Sequence, residues 1–116
     1  MADEELPLFV HWEKVLGDLL DRTMKFPKSV RFTFSTRIDN LALDLYEGLV
    51  TARYSSGSRK RATLATLDGQ LARLRVLVRL AHERRYLDHR GYEHVARGLD
   101  ETGRMLGGWR TSLGAE

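Results

Sequence analysis

The chain has 116 residues, enough for one domain and too few for two ordinary ones, and 42% apolar with 30% charged residues marks it as globular rather than disordered. It contains no cysteine, which excludes a disulfide framework, thiolate metal sites, iron–sulfur clusters and a cysteine nucleophile. The net charge is only +3, yet residues 1–21 hold six acids and one base, so the remaining 95 residues carry eighteen bases against ten acids, fifteen of the chain's nineteen bases being arginine. No apolar run approaches the ~20 residues that cross a bilayer, and the acidic Ala2–Glu5 opening is unlike a signal-peptide start. These features predict a soluble, unprocessed, cytoplasmic protein with no membrane contact, its first residues a disordered tip.

Helical periodicity dominates the whole sequence. Leu8, Trp12, Val15, Leu19 and Thr23 recur at helical spacing and predict a first helix over about 8–25. Phe26-Pro27-Lys28 ends it, because proline disfavours a helical residue before it. Ser29 is then the expected N-cap of a second helix over about 30–54, with Phe34, Ile38, Leu41, Leu45, Leu49 and Ala52 on its core face. Ser55-Ser56-Gly57-Ser58 reads as a turn. A third helix over about 59–86 follows, its core face Leu64, Leu67, Leu71, Leu74, Val78 and Ala81. Asp88 caps a fourth over about 89–111 through Tyr92, Val95, Leu99, Thr102, Leu106 and Trp109. Four helices with short connections make a single all-α domain, an up-down-up-down antiparallel four-helix bundle.

Two of these helices are apolar on two sides. Leu43, Val50 and Tyr54 fall opposite the core stripe of the second helix, and Val76, Leu80 and Leu87 opposite that of the third. Those six residues predict a self-association face and a dimer or ring, with Arg73 and Arg84 as interface bases; scattered exposed aliphatics are the alternative. Gly103 and Gly107, four apart on the fourth helix, either let another backbone approach or, with Gly107-Gly108, stop the helix early.

Catalytic and metal signatures are missing from the sequence. His11, His82, His89 and His94 lack ligand spacing and are expected at the surface or in caps, and neither His82 nor His94 has a glutamate three residues earlier. Gly-Lys-Ser/Thr phosphate loops and Gly-x-Ser-x-Gly elbows do not occur. Asp44 and Glu47 share a helix face but read as solvated or as inter-subunit ion partners. The expectation is a non-enzyme with no metal and no cofactor.

The bases are better organised. Gly48 to Leu67 contains no acid, while Arg53, Arg59, Lys60 and Arg61 crowd the turn and the start of the third helix. With Leu64 at 0°, Arg61, Arg75, Arg79 and His82 fall at about 0–60°, along one edge of the core stripe and interrupted by Asp68. Such a track engages phosphates with strong salt dependence, or else forms a solvated, salt-bridged face. Aromatic interleaving is weak, Tyr54 and Tyr86 being its candidates.

Three segments carry a family resemblance: Phe26-Pro27-Lys28-Ser29-Val30-Arg31-Phe32, the run Leu71-Ala72-Arg73-Leu74-Arg75-Val76-Leu77-Val78-Arg79-Leu80-Ala81, and Gly103-Arg104-Met105-Leu106-Gly107-Gly108-Trp109. In this order, over about Phe9 to Ser112, the chain resembles the accessory variability determinant (Avd) proteins of diversity-generating retroelements. These are relatives of the four-helix-bundle proteins encoded in ribosomal RNA intervening sequences. The resemblance implies a ring-like homopentamer with a basic surface, which binds template RNA and cDNA. It also implies association with the retroelement reverse transcriptase in mutagenic retrohoming. Carried onto this sequence, the Leu-Arg-x-x-x-Arg core of the second segment marks Arg75 and Arg79 as nucleic-acid contacts. Arg37, Lys60, Arg61 and Arg85 are further candidates without a matching family motif. An intervening-sequence-type bundle with a structural or RNA-associated role and no reverse-transcriptase partner is the alternative.

Overall fold

The computed structural model describes residues 5–114, and its secondary structure among them is entirely helical. Four long helices, α1 (Glu5–Thr23), α2 (Thr36–Arg53), α3 (Gly57–Glu83) and α4 (His89–Leu113), form a rod of 47 × 24 × 19 Å. Each helix packs on its sequence neighbours, and α1 closes the square against α4. Specific contacts fix the antiparallel sense. Trp12 Nε1 donates to the Ala42 carbonyl at 3.2 Å, while Thr23 Oγ1 donates to Asp39 Oδ1 at 2.6 Å. A Cβ on Gly48 would lie 2.2 Å from Leu67 Cδ2, so glycine there leaves the room that the buried Leu67 side chain occupies between α2 and α3.

The core follows the predicted stripes except that Ala42, not Leu41, is buried on α2 and Tyr92 of α4 is only half-buried. Leu8, Trp12, Val15, Leu16 and Leu19 of α1 meet Ile38, Ala42, Leu45, Leu49 and Ala52 of α2. The six predicted core residues of α3 are all buried, as are Val95, Leu99, Thr102, Leu106 and Trp109 of α4. Asp88 caps α4 as expected, its carboxylate accepting from the Gly91 N–H at 2.6 Å. Gly57, with φ +57°, opens α3 in the left-handed conformation that suits a residue without Cβ.

The entry to α2 departs from the predicted continuous helix. After Pro27 the chain makes a 3-10 turn, Lys28–Val30, and then a wide π turn, Arg31–Ser35, before α2 begins. Ser29 therefore lies within the 3-10 turn and makes no N-cap. The wider turn changes the helical phase. Ser35, not Phe34, is buried, and its hydroxyl donates to the Thr23 carbonyl at 3.4 Å. Phe34 is half-buried against Tyr86, ring edge to face at 5.1 Å, and Phe32 projects into solvent, 87% exposed.

The α3–α4 connection differs too. α3 ends at Glu83, three residues before the predicted boundary, because Arg85 takes φ +64° and the Tyr86 N–H turns back to the Ala81 carbonyl. Leu87 is thereby carried off the outer face of α3 and into the core, 6% exposed, so it does not belong to an outward association face. α4 runs straight through Gly107-Gly108 to Leu113, which overturns the early-stop reading of that pair.

Polar residues at the seams tie the helices together. His11, expected at the surface or in a cap, bridges α1 and α4: its Nε2 lies 3.0 Å from the Gly98 carbonyl and 3.0 Å from Thr102 Oγ1. Tyr46 OH donates to Glu13 at 2.6 Å across α1 and α2. Glu5, expected in a disordered tip, is buried and lies 3.7 Å from Lys60 Nζ; residues 2–4 of that tip lie outside the described residues.

Asp39 makes the fold sensitive to pH. Burial raises its carboxyl above the ordinary value, and the bond from Thr23 only partly opposes this. The folded state thus holds the Asp39 proton more tightly than the unfolded chain does. Its contribution to stability falls as pH rises from the ordinary carboxylate value through the raised one, and stays low above it. Asp39→Asn keeps an oxygen for Thr23 and carries no charge. It is expected to raise the urea midpoint at pH 7 relative to the parent chain, and the gain should disappear toward pH 3.

Candidate nucleic-acid interface

The helical phase of α3 sets its outer edges. With Leu71, Leu74 and Val78 turned inward, Arg75 and Arg79 emerge one turn apart on the edge that faces α4. A concavity of about 250 Å³ opens there, walled by Arg75, Arg79, Tyr92, Ala96 and Asp100. At its end His82 stacks flat on Tyr92, ring centroids 4.3 Å apart and planes 6° apart, with the His89 ring 5.6 Å from His82.

The two arginines differ in their freedom. Arg75 Nη1 donates to Asp100 Oδ1 at 3.0 Å and Nη2 to the Leu99 carbonyl at 3.2 Å. Its guanidinium lies over Gly103, where a Cβ would come within 2.4 Å of Nη2. The small residue at 103 thus accommodates the Arg75 side chain. Arg79 is exposed and has no ion-pair or hydrogen-bond partner among the described residues. An exposed pair such as Arg75–Asp100 is worth ~0–1 kcal/mol, so a phosphate can displace the carboxylate.

The other candidate bases do not converge on this point. Arg61 lies on the same α3–α4 edge nearer the other end of the bundle, beside Gly107, Arg110 and Thr111. Arg85 is in the turn beyond α3, its backbone left-handed. Arg37 lines a different groove, between α2 and α3, on the other side of Val76. Lys60 is a correction to the basic track. Its ammonium is directed inward, 3.7 Å from the Glu5 carboxylate and 5.7 Å from the centre of the Trp109 ring, where it joins α3 to α1 and α4.

The α2–α3 groove, about 800 Å³, joins Phe32, Leu41, Val76 and Leu77 to Arg37, Asp44 and Arg73. Val76 is 53% exposed, Tyr54 is 77% exposed, and Leu43, Val50 and Leu80 are each partly open to solvent. Arg84 is not in the groove; its Nε donates to Tyr86 OH at 3.4 Å. Among the described residues no three His, Asp or Glu side chains group to hold a metal ion, and no helix is long and apolar enough to cross a membrane.

A family model described as bAvd-like matches residues 9–113. The chain belongs to the bAvd-like family. The matched span coincides closely with the Phe9–Ser112 region in which the three segments resemble Avd proteins, and it includes all four helices except the first turn of α1. No curated protein matches the sequence. Within this family member, Asp100, Tyr92 and Phe32 are the site neighbours that sequence reading missed. Asp100 and Tyr92 face Arg75 and Arg79 from another helix, and Phe32 is exposed by the π turn. Only the Arg75–Arg79 spacing of four had a local signature.

Proposed function

We propose that this bAvd-like chain is a non-enzymatic, nucleic-acid-binding accessory protein of a diversity-generating retroelement. In this reading it acts in the cytoplasm, assembles through the exposed apolar face of α2 and α3, and holds template RNA or cDNA on its basic edges. It associates there with the retroelement reverse transcriptase during mutagenic retrohoming. Leu43, Val50, Tyr54, Val76 and Leu80 form the self-association face, and a ring of five follows from the resemblance to Avd proteins. The single observation that carries the proposal is the family match over residues 9–113, which embraces both Arg75 and Arg79.

The physical argument for nucleic acid is the freedom of Arg79. A guanidinium without an internal partner, beside a second one held by an exposed carboxylate, offers planar donors to phosphate oxygens. A symmetric assembly repeats that edge and concentrates positive potential. Arg75→Ala/Arg79→Ala is expected to leave helicity and assembly mass unchanged. It should weaken binding to single-stranded RNA and lower the magnitude of the log K–log[salt] slope by about 0.7 for each phosphate no longer neutralised. Fluorescence anisotropy between 50 and 200 mM salt checks this. Parental affinity and slope in the folded double variant would refute the assignment.

A further inference from the structure

A second concavity, separate from the one at Arg75, lies on the same α3–α4 seam toward the far end of the bundle. It is lined by Arg61, Leu64, Gly107, Arg110 and Thr111 and measures about 370 Å³. Its floor is bare, for a Cβ on Gly107 would meet no atom within 4 Å. Glycine inside a helix costs ~0.5–1 kcal/mol relative to alanine, and the packing of the chain itself does not require it at this position. Arg61 is exposed and has no ion-pair or hydrogen-bond partner among the described residues. Arg110 Nη1 donates to Asp68 Oδ2 at 3.0 Å, with both side chains close to half exposed. Such a pair is worth ~0–1 kcal/mol and yields to a competing anion.

We propose that this concavity is a second phosphodiester-binding subsite, which takes the sugar–phosphate backbone of a single strand also held at Arg79. The inference rests on the nucleic-acid reading of Arg79. Arg61 and Arg110 supply guanidinium forks for phosphate oxygens, Thr111 a hydroxyl, and Gly107 the room for the strand to lie against α4. Asp68 is the internal competitor: it holds Arg110 until a phosphate replaces it. The lining favours a polyanion over a protein partner, because none of the large exposed apolar side chains lines this concavity. Arg61 and Arg79 are eighteen residues apart on one helix, about 27 Å along its axis, a length that several nucleotides span.

The test uses the full chain and a fluorescein-labelled single strand of about 12 nucleotides, as RNA and as DNA of the same sequence, titrated by anisotropy at several salt concentrations. Gly107→Leu fills the floor without changing charge. It is expected to weaken binding several-fold on both strands while the thermal midpoint stays at or above that of the parent. Arg61→Ala/Arg110→Ala should lower the salt slope by about 1.4, and Asp68→Asn should tighten binding. Parental binding in all three variants, with Arg79→Ala still weakened, overturns the subsite and leaves the Arg79 reading intact. If Arg79→Ala also binds like the parent, both readings fall. A loss confined to RNA would move the contact from the phosphodiester to the 2′-hydroxyl, and displacement by polyglutamate at equal charge would replace the strand with an acidic peptide; either overturns the proposal.

Discussion

Trp12→Ala is expected to destabilise the bundle by about 3–5 kcal/mol, a large part of the stability of a domain this size. The indole is fully buried between α1 and α2, with Leu8, Leu16 and Ile38 in the same core. Its Nε1 donates to the Ala42 carbonyl, so it also fixes how far α1 slides along α2. Truncation removes the largest apolar side chain of α1 and leaves a cavity that four rigid helices collapse around only in part. Trp12→Phe keeps most of the volume, loses the N–H donor, and should cost substantially less. Urea unfolding followed by circular dichroism measures both, with a lower midpoint at unchanged m-value expected for each. Equal stability of parent and Trp12→Ala would mean that α1 is not an integral wall of the core.

Leu43→Glu/Val50→Glu is expected to have the largest effect on assembly and little on the fold. Both side chains are on α2, partly exposed and turned away from the core that Ile38, Ala42, Leu45 and Leu49 enter. In an isolated chain the two glutamates are hydrated. At a subunit contact each would be a buried, unpaired charge, costing several kcal/mol. Sedimentation velocity should show the parent as an oligomer and the variant as a monomer of unchanged helicity. Loss of multivalency is expected to lower nucleic-acid affinity about a hundredfold or more, and the uncharged Leu43→Gln/Val50→Gln variant separates that loss from the effect of the added negative charge. A variant with parental mass would place the association face elsewhere.

Most of the fold was legible because leucine recurs every 3.6 residues. Leu64, Leu67, Leu71, Leu74, Val78 and Ala81 define the buried side of α3 without any tertiary information, and Asp88 announces the start of α4. The π turn at Arg31–Ser35 was not legible. Its sequence suits an ordinary helix, and the wider turn is seen only in the fold, where Ser35 reaches the Thr23 carbonyl and Phe34 packs on Tyr86. Leu87 was misplaced for a related reason. The left-handed Arg85 that ends α3 is not glycine, so nothing in the residue type signalled the turn.

The candidate site divides the same way. Arg75 and Arg79 were readable as neighbours on one edge, since spacing of four is local. Their inequality was not, because the Asp100 carboxylate, the Leu99 carbonyl and the Gly103 cradle that hold Arg75 belong to another helix. Lys60 looked like part of the basic track and is instead joined to Glu5 and Trp109 by packing across three helices. The acidic first residues and the basic remainder, read as separate charge blocks, therefore meet in the fold, at Glu5–Lys60 and at Asp18–Arg22.

The claim that this bundle serves a reverse transcriptase is tested most directly by co-purification. The full chain, tagged, is mixed with the reverse transcriptase encoded in the same retroelement, with and without its template RNA, and the complex is weighed by light scattering. The account predicts a stable complex containing one oligomer of this chain, abolished in the Leu43→Glu/Val50→Glu variant. A folded, oligomeric parent chain that retains no reverse transcriptase in either condition would contradict it.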